Sequence, residues 1–303
     1  MPDGAVLIAG RGLIGGAVRA LLAGRDVPCV CAGRRPPGRA GDLSLDLATE
    51  AGRAALAGAA AGLRPRCLVL AHGPSDVTWI DANEAEAAAV HVGVAAIAAR
   101  SGVPTILVST DNVFPGTHGG YRPDDPVEPA NGYGRVKARA ESLLLVSGTA
   151  LVLRVSLVYG WAGPGQRVTF AQRCLDAAAA ARPMSAPTDQ IFTPIHVADV
   201  AAVVAAACRS PGLAGVRHLA GPAQLSRHEF ARLAYGLAGA DPALVEPCLR
   251  RDTDWACRPQ FSSLACGSFA GLPGLAAWRP MTPAEGLREM LATQPAGLPV
   301  ETR

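Results

Sequence analysis

In the stretch ANGYGRVKARAE, residues 130–141, Tyr133 and Lys137 stand four residues apart where a loop turns into a helical run. Residues at i and i+4 lie about 40° apart around a helix, so the two side chains share a face. Val136, Ala140, Leu143 and Leu144 fall on the same half of the wheel, which puts Lys137 toward the buried side. A phenol with an unperturbed pKa near 10 is a poor acid–base catalyst at neutral pH. A neighbouring ammonium stabilises the phenolate and lowers that value. The expected chemistry is therefore proton transfer by Tyr133 with Lys137 in support. Upstream, LVSTD (107–111) reads as a buried strand ending in Ser109 and Thr110. Ligands in open parallel sheets sit at such strand ends, where Thr110 could hold a substrate oxygen next to the tyrosine.

A second motif supplies what proton transfer alone lacks. AGRGLIGG places Gly10, Gly12 and Gly15 in a GxGxxG pattern directly after an apolar run and directly before a helix. Gly10 permits the tight turn, Gly12 lets backbone approach a pyrophosphate, and Gly15 allows close helix–strand packing. The free amides at the helix start then face the phosphates. An NAD site usually carries a carboxylate at the end of the second strand. Here that end reads AGRRPPGR, with Arg34 and Arg35 and no acid. Guanidinium groups pair well with a 2′-phosphate, so NADP is expected over NAD. Asp46, ending a short third strand, is the candidate contact to the adenine edge.

The elements that must position these residues follow from the rhythm of the chain. AVLIAG (5–10), VPCVCAG (27–33), LSLDL, RCLVLAHG (66–73), PTILVST (104–110) and ALVLRVSLVYG (150–160) are apolar runs separated by Ala-rich helical stretches. Near-continuous apolar strands alternating with helices imply an α/β fold, a Rossmann-type doubly wound parallel sheet covered on both faces. Past Tyr159 the rhythm breaks and Gly, Pro and Arg become frequent. Residues 1–160 are expected to form the dinucleotide-binding domain, with 190–215 packing back on it. Residues 161–189 and 216–303 are expected to form a smaller C-terminal α/β substrate lobe.

Bulk properties remove other classes. The 303 residues carry a formal charge of +3 without a basic stripe, so nucleic acid is not an expected partner. No run reaches membrane-spanning length and the N-terminus lacks a basic signal-peptide region, which points to the cytosol. Eight cysteines without CxxC read as buried thiols. His72, His91 and His196 lie on separate elements without ligand spacing, so no metal is expected. The scarcity of lysine beside abundant Ala, Gly and Arg reads as genome composition.

Taken together, the glycine loop, STDNVFPGTHGGYRPDDPVEPANGYGRVKARAE, LRVSLVYG, DQIFTPIHVADVA and RPQFSSLACGSFAGLPGLAAW resemble the extended short-chain dehydrogenase/reductases of the dTDP-4-dehydrorhamnose reductase type. The resemblance covers nearly the whole chain. It implies Thr110, Tyr133 and Lys137 as the catalytic set, with Tyr133 and Lys137 also touching the cofactor. Gly10, Arg11, Gly12, Leu13, Ile14 and Gly15 become the phosphate loop. Arg34, Arg35, Asp46, Leu47, Ala71, His72 and Gly73 line the rest of the NADP(H) site. Thr110, Asn112, Val113, Tyr133 and Arg258 become substrate contacts. The chain departs from the family in having one residue fewer in the glycine loop. It also has His91 where asparagine is usual, and Asn112 where tyrosine is common. The implied activity is NADPH-dependent reduction of a keto group, the 4-keto group of a nucleotide-activated deoxysugar. The alternatives are an epimerase or dehydrogenase of the same fold acting on another sugar or cyclitol, and a non-catalytic NADP-binding regulatory subunit. The expected partners are a nucleotide-sugar and at most a second copy of the chain.

Overall fold

The computed structural model describes residues 4–34, 39–210 and 212–295; Arg35 lies outside them. The first half contains β1 (Val6–Ala9), α1 (Leu13–Ala23), β2 (Cys29–Gly33), β3 (Leu43–Ser44), α2 (Glu50–Leu63), β4 (Cys67–Leu70), α3 (Val77–Ala82), α4 (Glu84–Ser101) and β5 (Thr105–Thr110). Then come α5 (Gly132–Leu145), β6 (Ala150–Val155), β7 (Val158–Tyr159), α6 (Phe170–Ala179), β8 (Met184–Pro187), β9 (Ile191–Phe192), β10 (Ile195–His196) and α7 (Val197–Ala207). The chain finishes with β11 (Gly215–Leu219), β12 (Leu225–Ser226), α8 (Arg227–Leu237), β13 (Val245–Cys248) and α9 (Pro283–Ala292).

Seven strands form one sheet in the order β11-β6-β5-β4-β1-β2-β3, and every pairing is parallel. The alternation of β1 explains why both faces are covered. Val6 and Ile8 pack with Val18 and Leu22 of α1 and Val200, Val203 and Val204 of α7. Leu7 and Ala9 pack on the other face with Leu56 of α2, Val90 and Val94 of α4, and Ala140 and Leu144 of α5. Strands buried on both sides have no polar face to show, hence their continuous apolar runs. Strand order reverses between β1 and β4, which opens a crevice at their C-terminal ends.

The structure extends the sheet further than the sequence boundaries do. Strand β11 pairs with β6 and adds a seventh strand, although residues from 216 onward read as lobe. Its Arg217 and His218 hide the apolar signature that marks the inner strands.

The smaller lobe rests on a separate core of the aromatic Tyr159, Phe170, Phe192, Phe230 and Tyr235 with Met290, from α6, α8, α9 and the short strands. Capping boxes start α8 (Ser226 with Glu229) and α9 (Thr282 with Glu285), satisfying amides that a helix start leaves open. All eight cysteines are free, four of them buried. Among the described residues no helix is long and apolar enough to cross a membrane.

Candidate active site

Two glycines bring the start of α5 against the end of β5 and against α3. A Cβ at Gly134 would fall 2.0 Å from the Asn112 carbonyl oxygen, and one at Gly132 would fall 3.1 Å from Asp81 Cα. Only the bare backbone lets α5 enter this close, and the residue between the two glycines is Tyr133. Asn131 caps the helix by accepting from the Gly134 amide at 2.9 Å. Its Nδ2 donates to Asn112 Oδ1 (2.9 Å) and to the Cys257 carbonyl (3.1 Å), tying strand end, helix start and lobe loop into one unit.

Thr110 ends β5 and is buried. Its hydroxyl donates to Asp111 Oδ1 at 3.1 Å and accepts from the Asn112 amide and Nδ2 at 3.2 and 3.1 Å. Asp111 also accepts from Asn112 Nδ2 (2.8 Å) and from Ser156 Oγ beyond β6 (2.9 Å). Burial raises the Asp111 carboxyl above its ordinary range, opposed by hydrogen bonds from Ser262, Ser156, Thr110 and Asn112. Thr110 has one proton, for which Asp111 and the Tyr133 oxygen are competing acceptors. The hydroxyl donates to a substrate oxygen only by turning away from both.

Tyr133 and Lys137 do share a face, but not with the expected electrostatics. Burial is the main influence on Tyr133, and with the charge of Asp111 it pushes the phenol up to about 12; the Thr110 hydrogen bond and the Arg258 charge act the other way. Lys137 is only 3% exposed, and its Nζ donates to the Val108 carbonyl oxygen at 2.7 Å. Burial brings its ammonium down to about 8, with Glu141 pulling upward. Glu141 itself is held by Arg154 at 2.8 Å and by the Ser109 hydroxyl. So the phenol stays protonated at neutral pH, the state of a proton donor rather than of a phenolate base.

Composition had a signal here beyond what the scarcity of lysine suggested. Of the 28 lysines and arginines, Lys137 is the sole lysine. A chain that uses arginine at every other cationic position has kept an ammonium at this one. A compact point charge with three rotatable donors, seated here on the Val108 carbonyl, is something a planar guanidinium does not replace.

One cavity of about 930 Å³ runs from this centre in two directions. Toward β1 it is bounded by Gly10, Arg11, Gly12, Leu13 and Ile14, by Arg34, Asp46 and Leu47, and by Ala71, His72 and Gly73. Gly10 has φ +114°, and a Cβ there would strike the Ala71 carbonyl at 2.2 Å; Gly15 packs on the Gly10 carbonyl. At Gly12, by contrast, a Cβ would meet nothing within 4 Å. The N-terminus of α1 starts at Gly12 without a side-chain cap, so its amides remain available to an anion. A dinucleotide pyrophosphate fits this cradle. Gly15 serves as packing rather than cavity wall.

The cofactor-preference region differs in detail from the sequence expectation. An acid does lie near the end of β2: Asp42, brought in from beyond the strand. It is engaged by Arg19 at 2.7 Å and by the Cys31 amide at 3.1 Å, and its side chain is 2% exposed. Arg11 of the glycine loop turns its guanidinium onto the carbonyls of Gly33 and Leu43. Arg34 stands exposed at the rim. Asp46 lines the cavity with its backbone neighbours, while its carboxylate accepts from the Ala48 amide at 3.0 Å.

Toward the lobe the cavity is cationic and aromatic. Arg167, Arg173, Arg227 and Arg258 line it with Phe170 and Trp255. Arg227 is 3% exposed; its Nε donates to Gln190 Oε1 at 2.5 Å, and its Cζ lies 4.5 Å from the Trp255 ring centre and 4.6 Å from that of Phe170. Among the described residues neither Arg227 nor Arg258 forms an ion pair with a carboxylate. A buried guanidinium with only neutral partners is costly in the protein alone and suits an anionic ligand. Sequence reasoning missed Arg227, because in RHEFARL it looks like an ordinary solvated helix residue. It missed Asp111 and Asn131 for a different reason: their roles exist only where β5 meets α5. Asn112 lines the cavity, but Val113 does not; it is fully buried against Phe114, Tyr121 and Leu264, which removes it as a substrate contact. Among the described residues no cluster of His, Cys, Asp or Glu could hold a metal.

Residues 4–292 match the family described as RmlD substrate binding domain. The chain is 34% identical over 218 residues to dTDP-4-dehydrorhamnose reductase of Mycobacterium tuberculosis, covering 68% of this chain and 71% of that protein. It is 31% identical over 182 residues to a probable dTDP-4,6-dihydroxy-2-methyloxan-3-one 4-ketoreductase of Streptomyces antibioticus, covering 57% of this chain and 59% of that one. The fold matches the crystal structure of dTDP-4-dehydrorhamnose reductase from Bacillus anthracis in complex with NADP, with a TM-score of 0.79 at 20% identity over 96% of this chain and 99% of that one. The chain belongs to the RmlD substrate binding domain family and is an oxidoreductase of the extended short-chain dehydrogenase/reductase type.

Proposed function

We propose that the protein uses NADPH to reduce the 4-keto group of a nucleotide-activated deoxysugar. The observation that carries this reading is the single cavity joining three chemistries in line: an uncapped glycine-loop helix start, the Thr110–Tyr133–Lys137 centre, and the arginine and tryptophan wall of the lobe. The dinucleotide supplies the hydride when bound. The residues of the chain do the rest. Gly10, Arg11, Gly12, Leu13 and Ile14 hold the pyrophosphate end. Arg11 and Arg34 are the guanidiniums that line this end of the cavity, and Asp42, the acid packed on β2, is engaged by Arg19, which favours NADPH.

Tyr133 gives its phenolic proton to the carbonyl oxygen as hydride arrives at carbon. The resulting phenolate is steadied by the Thr110 hydrogen bond and the Arg258 charge, which act against the desolvation that keeps the phenol protonated beforehand, and the Lys137 ammonium on the same helix face adds to them. Thr110, backed by Asp111 and Asn112, orients that oxygen. On the lobe side, Arg227 and Arg258 bind the diphosphate of the sugar nucleotide, and the Trp255 ring backs the Arg227 guanidinium.

The reading is tested by following NADPH oxidation with a panel of nucleotide-4-keto-sugars. Turnover with at least one, and a preference for NADPH over NADH, is expected. Tight NADPH binding without turnover of any keto-sugar would overturn it.

A further inference from the structure

Where the lobe meets the cavity, between β8 and β9, the chain places an acid and an amide side by side: Asp189 and Gln190. The amide meets the arginine of the wall and the acid does not. Asp189 Oδ1 accepts from the backbone amide of Arg250 at 2.6 Å. Gln190, 4% exposed and lining the cavity, accepts from Arg227 Nε on its Oε1 at 2.5 Å. An arginine can only donate, so the glutamine oxygen is the atom that faces it.

Backbone register fixes this pairing. The Gln190 carbonyl accepts from the Arg227 amide at 3.2 Å, and the adjoining residues Ile191 and Ser226 are partners in the β9–β12 ladder. Three rings then enclose the guanidinium: the centres of Trp255, Phe170 and Phe192 lie 4.5, 4.6 and 5.4 Å from its Cζ. The rings restrict the guanidinium plane, and Gln190 restricts rotation within that plane. Nε is occupied, whereas the Nη protons have no acceptor among the described residues.

Charge is the other half of the arrangement. Burial works hardest against the Arg227 charge, followed by the charges of Arg258 and Arg173, while Cys174 and Asp111 act the other way. A carboxylate at position 190 would meet these cations and quench them. The amide offers an oxygen at the same place and leaves the guanidinium its full charge.

We infer that Gln190 is a positioning residue that makes the lobe wall select an anion: it holds the Arg227 fork at the cavity and, being neutral, keeps its charge for phosphate oxygens of the ligand. The inference rests on the anion-binding reading of the lobe wall but not on reduction of a keto-sugar.

The test compares Gln190→Glu, which keeps the shape and adds a charge, with Gln190→Met, which keeps the length and loses the oxygen. Inorganic pyrophosphate is the probe, titrated by calorimetry with NADPH saturating so that the glycine-loop end is filled. Thermal melts are recorded in parallel. Gln190→Glu should melt about 2–4 °C above wild type, because a counter-charge strengthens the hydrogen bond to a buried guanidinium. The same variant should bind pyrophosphate about 10- to 100-fold more weakly. Gln190→Met should melt below wild type and lose only about two- to fivefold in affinity. A merely structural glutamine would instead make binding follow stability. A Gln190→Glu variant that melts below wild type, or binds pyrophosphate as tightly as Gln190→Met, would overturn the inference. So would a Gln190→Met variant that binds like wild type, or wild-type protein that binds no pyrophosphate. Neither readout needs turnover, so failure of every keto-sugar would count against the reductase reading alone.

Discussion

The ammonium of Lys137 donates to the carbonyl oxygen of Val108 at 2.7 Å, one strand residue inside the Ser109–Thr110 end of β5. This bond fastens the middle of α5 to the strand whose tip holds Thr110, and thereby sets where Tyr133 stands. It also holds a charge in a buried place. Lys137→Met should remove a buried ammonium whose desolvation is on the order of 3 kcal/mol, judged from its fall from 10.5 to about 8. With the lost hydrogen bond set against that, the variant should gain about 1–2 kcal/mol and melt a few degrees higher. The pH sign follows. From about 8 to about 10 the unfolded chain binds the proton that the folded one has released, so wild-type stability should rise with pH across that window through this group. Urea titrations at pH 8 and 10 should show the rise in the wild type and a smaller one in Lys137→Met.

Activity should move the opposite way. Above pH 8 the folded protein loses the Lys137 charge that stabilises the phenolate, so turnover should fall on the basic side with an apparent pKa near 8. Lys137→Arg keeps a charge but not its compact shape and should still lose about 100-fold or more in kcat. A pH–rate profile without a basic limb would show that the lysine is not the group that titrates.

Tyr133→Phe removes the proposed proton donor and leaves the ring packed against Ile80, Ala87 and Val136. Turnover should drop by about 1,000-fold or more while the melting temperature and NADPH affinity stay near wild type. Loss of cofactor binding in this variant would mean that the phenol holds the dinucleotide rather than serving the carbonyl.

Arg227 gives a second pair of opposite effects. With Gln190 as its hydrogen-bond partner and aromatic rings around it, Arg227→Met should leave the fold as stable as before or slightly more so. Affinity for a nucleoside diphosphate, measured by calorimetry, should fall about 10- to 100-fold with little change in NADPH affinity. Equal affinity in the variant would remove the anion site from the lobe.

Cofactor preference tests the glycine-loop end. Arg34→Ala, and Arg11→Ala more strongly, should reduce the NADPH-to-NADH ratio of kcat/KM by about tenfold each if their guanidiniums meet the 2′-phosphate. Arg11 also braces the carbonyls of Gly33 and Leu43, so its variant needs a melting control.

The parallel sheet, the glycine loop and the shared face of Tyr133 and Lys137 were legible from residue order because each depends on local periodicity or on spacing within one element. Buried parallel strands read as unbroken apolar runs, and an i, i+4 pair shares a face wherever the helix is placed. What the tertiary structure decided are quantities that depend on neighbours distant in sequence. The phenol of Tyr133 goes up because burial and Asp111 outweigh the Thr110 hydrogen bond and the Arg258 charge, a balance set by how Gly134 lets α5 press on Asn112 just past β5 and Gly132 lets it press on α3. Arg227 becomes a cavity wall only because α8 folds its first turn against Phe170 and Trp255. Val113, next to cavity-lining residues in the chain, turns into the core instead. Sequence determines which chemical groups the chain owns; desolvation and long-range packing determine which of them meet and in what charge state.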